Sequence, residues 1–210
     1  MPPPYCYDYP RPAVTVDLLV FALEGDSLRV LLIRRKRDPF AGAWAIPGGF
    51  LEIDEPAEDA ARRELREETG LDHQGPIAAL GAFSTPGRDP RGRTISLAFA
   101  TSIRSPLPAV GGADDAAEAC WVDPHGSLPL AFDHDAIMAV ALTWLARDVV
   151  NGWAGLELLP AVFNDQELKN LFRAVGKTSR QAVAWRNRLL RAGQVEPVPR
   201  RMGCYRIKAR

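Results

Sequence analysis

The sequence predicts a mixed fold of helices and strands, α+β or α/β, ending in a small helix-turn-helix unit with a possible wing. Three observations predict it. Apolar runs with strand character alternate with amphipathic helical stretches over the first two thirds of the chain. Beyond Gly155 the pattern changes to two helical stretches joined by Gly176, Lys177 and Thr178. Charge changes in the same region: residues 161–210 hold nine arginines and three lysines against Asp165, Glu167 and Glu196, a surplus of nine positive charges. The 210-residue chain has a formal net charge of +0, so the remainder carries the matching negative excess.

The elements follow in order. Residues 1–12, with five prolines and three tyrosines, read as an extended arm with few backbone donors. Residues 13–152 read as one domain and 153–210 as a second. In the first, 13–23 and 27–34 are β-rich and flank the turn-like Glu24, Gly25 and Asp26, a hairpin signature. A short strand is expected at 43–46, stopped by Pro47, Gly48 and Gly49. Residues 55–69 place Ala57, Ala60, Ala61 and Leu65 at helical spacing and end at Gly70, a C-cap residue. Further strands are expected at 77–84, 94–103 and 119–122, and a helix at 134–150. In the second domain, helices are expected at 163–175 and 179–192, then a β-like tail at 195–207.

Composition excludes several classes. At 47% hydrophobic and 25% charged residues, the chain is ordinary globular protein, not collagen-like, coiled-coil or disordered. Cys6, Cys120 and Cys204 are odd in number and far apart, which argues against a disulfide framework or structural zinc and for a reducing, cytoplasmic setting. No apolar run approaches the ~20 residues of a membrane span, and the N-terminus has no export pattern, so no membrane partner is expected.

One motif carries chemistry. From Gly49 the chain reads GFLEIDEPAEDAARRELREETGL. On a helix, Glu64, Glu67 and Glu68 lie on or near one face, where like charges are costly unless a cation sits among them. A carboxylate-only cluster suits Mg²⁺ or Mn²⁺. Arg63, four residues before Glu67, can hold that carboxylate in place. The Gly48-Gly49 turn lets backbone approach a metal or phosphate closely.

Gly49, Glu55, Arg63, Glu64, Leu65, Glu67, Glu68, Gly70 and Leu71 match all nine positions of the Nudix box, and the chain resembles the Nudix family over about residues 13–150. The resemblance implies an α/β/α sandwich with a mixed sheet and hydrolysis of a nucleoside diphosphate linked to another moiety. It implies Glu64, Glu67 and Glu68 as metal ligands, the Gly48 carbonyl as a further ligand, Arg63 as their orienting partner and Glu55 as a supporting carboxylate. The base is a box glutamate or a loop carboxylate, for which Asp114, Asp115 and Glu118 are the candidates.

Arg88, Arg91 and Arg93 sit in the proline-containing loop STPGRDPRGRTIS, a solvated turn or a set of forked donors for phosphate and ribose. The loop resembles that of ADP-ribose-type Nudix proteins, including Nudix-related regulators of NAD metabolism, which favours ligand contact by these arginines and Gly49. His73, His125 and His134 are scattered, with nothing to place them at a site.

In the second domain, Ser179 is expected to cap a helix with an apolar stripe of Val183, Leu189 and Leu190. Arg180 and Gln181 would project from its first turn, with Arg186 and Arg188 further along, and Arg200 and Arg201 at the wing tip. This charge pattern fits double-stranded DNA, or a basic helix packed on an acidic domain. Two readings follow: a Mg²⁺-dependent hydrolase of an ADP-ribose-like nucleotide, or a ligand-responsive transcriptional regulator. Both imply a homodimer.

Overall fold

A computed structural model describes residues 8–113 and 115–208. Of the N-terminal arm, residues 8–12 are exposed; residues 1–7, and with them Cys6, lie outside the described residues, as does Asp114.

Strand β1 (Ala13–Glu24) is apolar on both faces because both are covered. Its Val16, Leu18 and Val20 enter one core, while Leu19, Phe21 and Leu23 enter another. A two-residue turn at Gly25, with φ 63°, returns the chain into β2 (Ser27–Arg35), paired antiparallel to β1. Strands β3 (Trp44–Ala45), β4 (Gly48–Phe50), β5 (Ala78–Phe83), β6 (Thr94–Ile103) and β7 (Ala116–Val122) complete a seven-stranded sheet. Its main path runs β3-β2-β1-β6-β5, with β4 also on β1 and β7 on β2. The β1–β6 pair is parallel and the others antiparallel, so the sheet is mixed.

Helix α1 (Ala57–Thr69) lays Ala60, Ala61 and Leu65 on one face of the sheet and stops at Gly70, whose φ of 74° closes a left-handed cap. Helix α2 (His134–Asn151) lays Ile137, Ala141 and Leu145 on the other. The result is the α/β/α sandwich. Strand β4 was not expected from its glycine-rich sequence. It forms because those residues press against β1: a Cβ on Gly48 would lie 2.1 Å from the Val16 carbonyl oxygen.

Helix α3 (Ala154–Leu158), also unexpected, buries Ala154, Leu156 and Leu158 on the α2 side of the sheet. Arg104 from the end of β6 donates to the carbonyls of Leu159 (2.7 Å) and Leu156 (3.0 Å). The same core continues into the C-terminal unit through Phe163, Leu168, Phe172, Trp185 and Leu189.

That unit holds β8 (Val162–Asn164), α4 (Asp165–Ala174), α5 (Ser179–Arg191), β9 (Val195–Pro197) and β10 (Cys204–Ile207). The three strands form an antiparallel sheet ordered β8-β10-β9, the wing beside a helix-turn-helix. Three local expectations change. Phe163 belongs to β8, paired with Tyr205, because the α4 cap is Asn164, in a reciprocal box with Glu167. Thr178, not Ser179, caps α5: its backbone is extended, it accepts from the Gln181 N–H, and the Gln181 side chain returns the bond. Val183 faces solvent, since the buried stripe of α5 is Ala182, Trp185 and Leu189 at spacings of three and four. Among the described residues no helix is long and apolar enough to cross a membrane.

Candidate active site

The box glutamates reach their positions because α1 packs its alanine face on the sheet and turns Glu64, Glu67 and Glu68 toward β4 and the cleft beside it. Gly49 makes the approach possible: a Cβ there would lie 2.3 Å from a Glu64 carboxylate oxygen. Arg63 stands among the carboxylates. Its Nε and Nη2 donate to Glu55 (3.1 and 2.6 Å), its Nη1 to Glu64 (2.8 Å) and Glu67 (3.1 Å), and Nη2 also to the Phe50 carbonyl (3.1 Å). The bond from Arg63 holds Glu55 below the usual carboxylate range.

Glu68 is only 5% exposed and accepts from the Gly48 N–H at 2.9 Å. Burial, with the nearby charges of Glu64 and Asp17, pushes its carboxyl up to about 8, against the opposing Gly48 bond. Burial also raises Glu64. The fold has therefore concentrated carboxylates where their charge is costly. An all-oxygen donor set of this kind fits a hard divalent cation. Among the described residues no three His, Cys, Asp or Glu side chains form a closed cation cage, Arg63 holding Glu64 and Glu67 instead.

The carboxylates line a cleft of about 320 Å³ whose lining also includes the cationic Arg35, Arg88 and Arg91, the aromatic Phe50 and Phe132, and the further carboxylates Asp17, Glu52, Asp89 and Asp115. The three loop arginines part company here. Arg88 is tied bidentately to Asp133, the residue before α2, at 2.6–3.1 Å. Arg91 enters the cleft, braced by the buried Asp89 at 2.7–3.2 Å. Burial raises the Asp89 carboxyl, but bonds from the Arg91 side chain and backbone outweigh it and leave it below the usual range. Arg93 lies outside the cleft lining and donates to the Ser84 carbonyl at 2.6 Å.

Of the described loop carboxylates, Asp115 lines the cleft and pairs with Arg37 at 3.1 Å. Glu118 does not line it; exposed on β7, it lies 4.0 Å from Arg34 and accepts from the Cys120 thiol.

Sequence reasoning missed Asp17, His134, Arg35, Phe50 and Phe132. Asp17 is buried in β1 and accepts from the Ser96 hydroxyl. Its signal was visible: a lone carboxylate inside an apolar strand needs polar partners. His134 is buried at the start of α2, its Nδ1 accepting from the Ile46 N–H at 3.0 Å, which leaves the proton on Nε2, 3.5 Å from Asp17. Burial lowers its pKa. Arg35 is held below the usual guanidinium range by burial and by Arg91. No spacing rule links these residues, since they sit on strands, a loop and the start of α2, far apart in sequence.

In the C-terminal unit, Arg180 is exposed on the first turn of α5, and Arg200 and Arg201 are exposed at the wing tip. Gln181 is engaged in the cap. Arg186 is committed within the fold, bonded to Asp165 at 2.5 Å and stacked 5.3 Å from the Tyr205 ring centre. Arg188 donates to the Val150 carbonyl at the end of α2.

The chain is similar to known proteins. The NUDIX domain profile matches residues 11–145. The ADP-ribose pyrophosphatase of Methanocaldococcus jannaschii is 43% identical over 140 residues, 65% of this chain and 76% of that protein. The ADPR responsive transcriptional repressor NtrR of Acinetobacter baylyi is 30% identical over 192 residues, 90% of this chain and 76% of that protein. The crystal structure of a MutT/nudix family protein from Enterococcus faecalis superposes with a TM-score of 0.82 at 28% identity, covering 97% of this chain and 89% of that one. The intact box on α1, the sandwich that presents it and a profile match over more than half the residues place this chain in the Nudix family.

Proposed function

We propose that the chain hydrolyses the diphosphate bridge of an ADP-ribose-like nucleotide with Mg²⁺ or Mn²⁺ held by Glu64, Glu67, Glu68 and the Gly48 carbonyl. The carrying observation is the gathering of buried and half-buried carboxylates on one wall of a cleft that also contains cationic side chains. A bound divalent cation supplies charge neutralisation for the diphosphate and lowers the pKa of an attacking water. Arg63 positions Glu64 and Glu67, and Glu55 in turn fixes Arg63. Arg91 offers its guanidinium to the phosphates, and of the described base candidates Asp115 and Glu118 it is Asp115 that lines the cleft. The similarity to an archaeal ADP-ribose pyrophosphatase supports this substrate class.

The test is release of AMP from ADP-ribose with Mg²⁺. Glu67→Gln is expected to lower turnover at least about a hundred-fold while its melting transition stays cooperative. Undiminished turnover in that variant refutes the ligand assignment.

A second reading has its own support. The basic helix-turn-helix and wing, with similarity over 90% of the chain to an ADPR responsive repressor, favour a DNA-binding regulator whose effector occupies the same cleft. In this reading Arg180, Arg200 and Arg201 meet duplex DNA, a homodimer presents two such heads to paired half-sites, and the protein works in the cytoplasm. Arg180→Glu is expected to abolish retention of duplex DNA and leave hydrolysis intact. Equal retention removes α5 from the interface.

A further inference from the structure

Helix α2 sends one face into the core and leaves another uncovered. Ile137, Ala141, Trp144 and Leu145 are buried. On the outer side Asp135, Ala139, Thr143 and Arg147 are exposed and form one row at spacings of four. Val140 stands beside that row and is 40% exposed. Between this face and β5 runs a groove of about 380 Å³, lined by Ala79, Leu80, Val140, Thr143, Trp144 and Arg147. Among the described residues neither Asp135 nor Arg147 has an ion pair or a side-chain hydrogen bond. The Thr143 hydroxyl donates back to the Ala139 carbonyl at 3.0 Å, so the middle of the row keeps no free donor.

The groove suits a helix better than an added strand. Strand β5 ends the sheet and pairs with β6 alone, and its register shifts between Ala79 and Gly81, where Gly81 has φ 137°. A bulge of this kind turns an edge away from strand-to-strand pairing. The exposed row of α2, by contrast, is complementary to itself. Residues at spacings of four make a ridge that packs beside the same ridge of another helix. Laid antiparallel about residue 141, two copies set Ala139 beside the partner's Thr143 and Asp135 beside the partner's Arg147, and the two-fold axis repeats both pairs. A parallel pairing would set like charges together instead.

We infer that this face of α2 is the surface on which a second copy of the chain docks, through the apolar groove beside Val140 and two reciprocal ion pairs between Asp135 and Arg147. The second reading above requires two copies and assigns them no surface; the groove and the charged row supply one, and they stand on their own geometry whichever reading holds. The consequence falls on the helix-turn-helix units. Each α5 is bonded to its own α2 through Arg188 and the Val150 carbonyl, so a two-fold axis at residue 141 sets the separation of the two basic heads.

The experiment is analytical ultracentrifugation of the full chain without nucleotide or DNA, so its outcome is separate from that of either functional reading. The native chain is expected to sediment as a dimer. Asp135→Arg and Arg147→Asp are each expected to weaken the dimer at least about ten-fold, because each sets like charges together at both ends of the paired helices. Mixed in equal amounts, the two variants are expected to associate with each other as the native chain does with itself, since every facing pair is then opposite in sign. A role for these charges in the dipole of α2 alone predicts no such rescue. Val140→Lys, at a position already 40% exposed, probes the groove and is also expected to weaken the dimer. Thermal melting checks each variant, and Val140→Lys carries the test if a charge variant does not melt cooperatively. A monomeric native chain, a dimer unchanged in Val140→Lys or in the charge variants, or charge variants that stay apart when mixed would each overturn the interface.

Discussion

Gly48 and Gly49 are adjacent, yet a methyl group at each would strike different things. At Gly48 it meets the Val16 backbone oxygen at 2.1 Å, which cannot yield without parting β4 from β1. At Gly49 it meets the tip of the Glu64 side chain at 2.3 Å, which can swing away. Gly48→Ala is therefore expected to destabilise the fold by about 1–3 kcal/mol, and Gly49→Ala to spare the melting temperature but lower turnover by displacing Glu64. Paired melting and rate measurements check this, and equal effects at both positions contradict it. His134 makes a pH prediction. Burial lowers its pKa in the folded chain, while the unfolded chain takes up a proton near pH 6.5. The contribution to stability is thus complete above about pH 6.5 and is lost as pH falls toward the folded value. Denaturant titrations between pH 7 and 5 are expected to show this loss, and the native-minus-His134→Gln difference to shrink as pH falls. A difference independent of pH would refute the buried neutral assignment.

At the scale of elements, α1 was legible because its box positions, helical alanine spacing and Gly70 stop all point the same way. Strand β4 and helix α3 were not. The first contains two glycines and the second is five residues long, so neither has a periodic pattern; the burial available on β1 and β6 makes them. Caps explain the shifted ends of α4 and α5. Thr178→Ala removes the reciprocal bond to Gln181 and is expected to cost about 1 kcal/mol, measured by chemical denaturation, whereas Ser179→Ala is expected to cost little. A larger loss at Ser179 would return the cap to that residue. Helix α2 joins the cleft loop to the C-terminal unit physically. Asp133, just before it, holds Arg88 of the cleft loop, and the Val150 carbonyl near its end accepts from Arg188 of α5.

Across the whole molecule, one apolar core runs from the sheet through α3 into the helix-turn-helix. Leu156, Leu158 and Leu159 are buried against the sheet side although they follow residue 152, the division expected from composition. A chain ended after residue 152 uncovers that surface and is expected to aggregate, while one ended after Leu159 keeps α3 in place and is expected to melt at a higher temperature than the shorter chain. Size-exclusion chromatography and melting of the two truncations test this; identical behaviour would place α3 with the C-terminal unit. The sequence by itself determined the family, the helix that carries the carboxylates, the hairpin and the basic C-terminal unit, because each is written in local spacing or charge. Only the tertiary structure decided which arginines face the cleft, that Asp17 and His134 line it, and that Asp115 and not Glu118 reaches it. Those contacts join residues from separate strands and loops, and packing of the sheet against its helices brings them together.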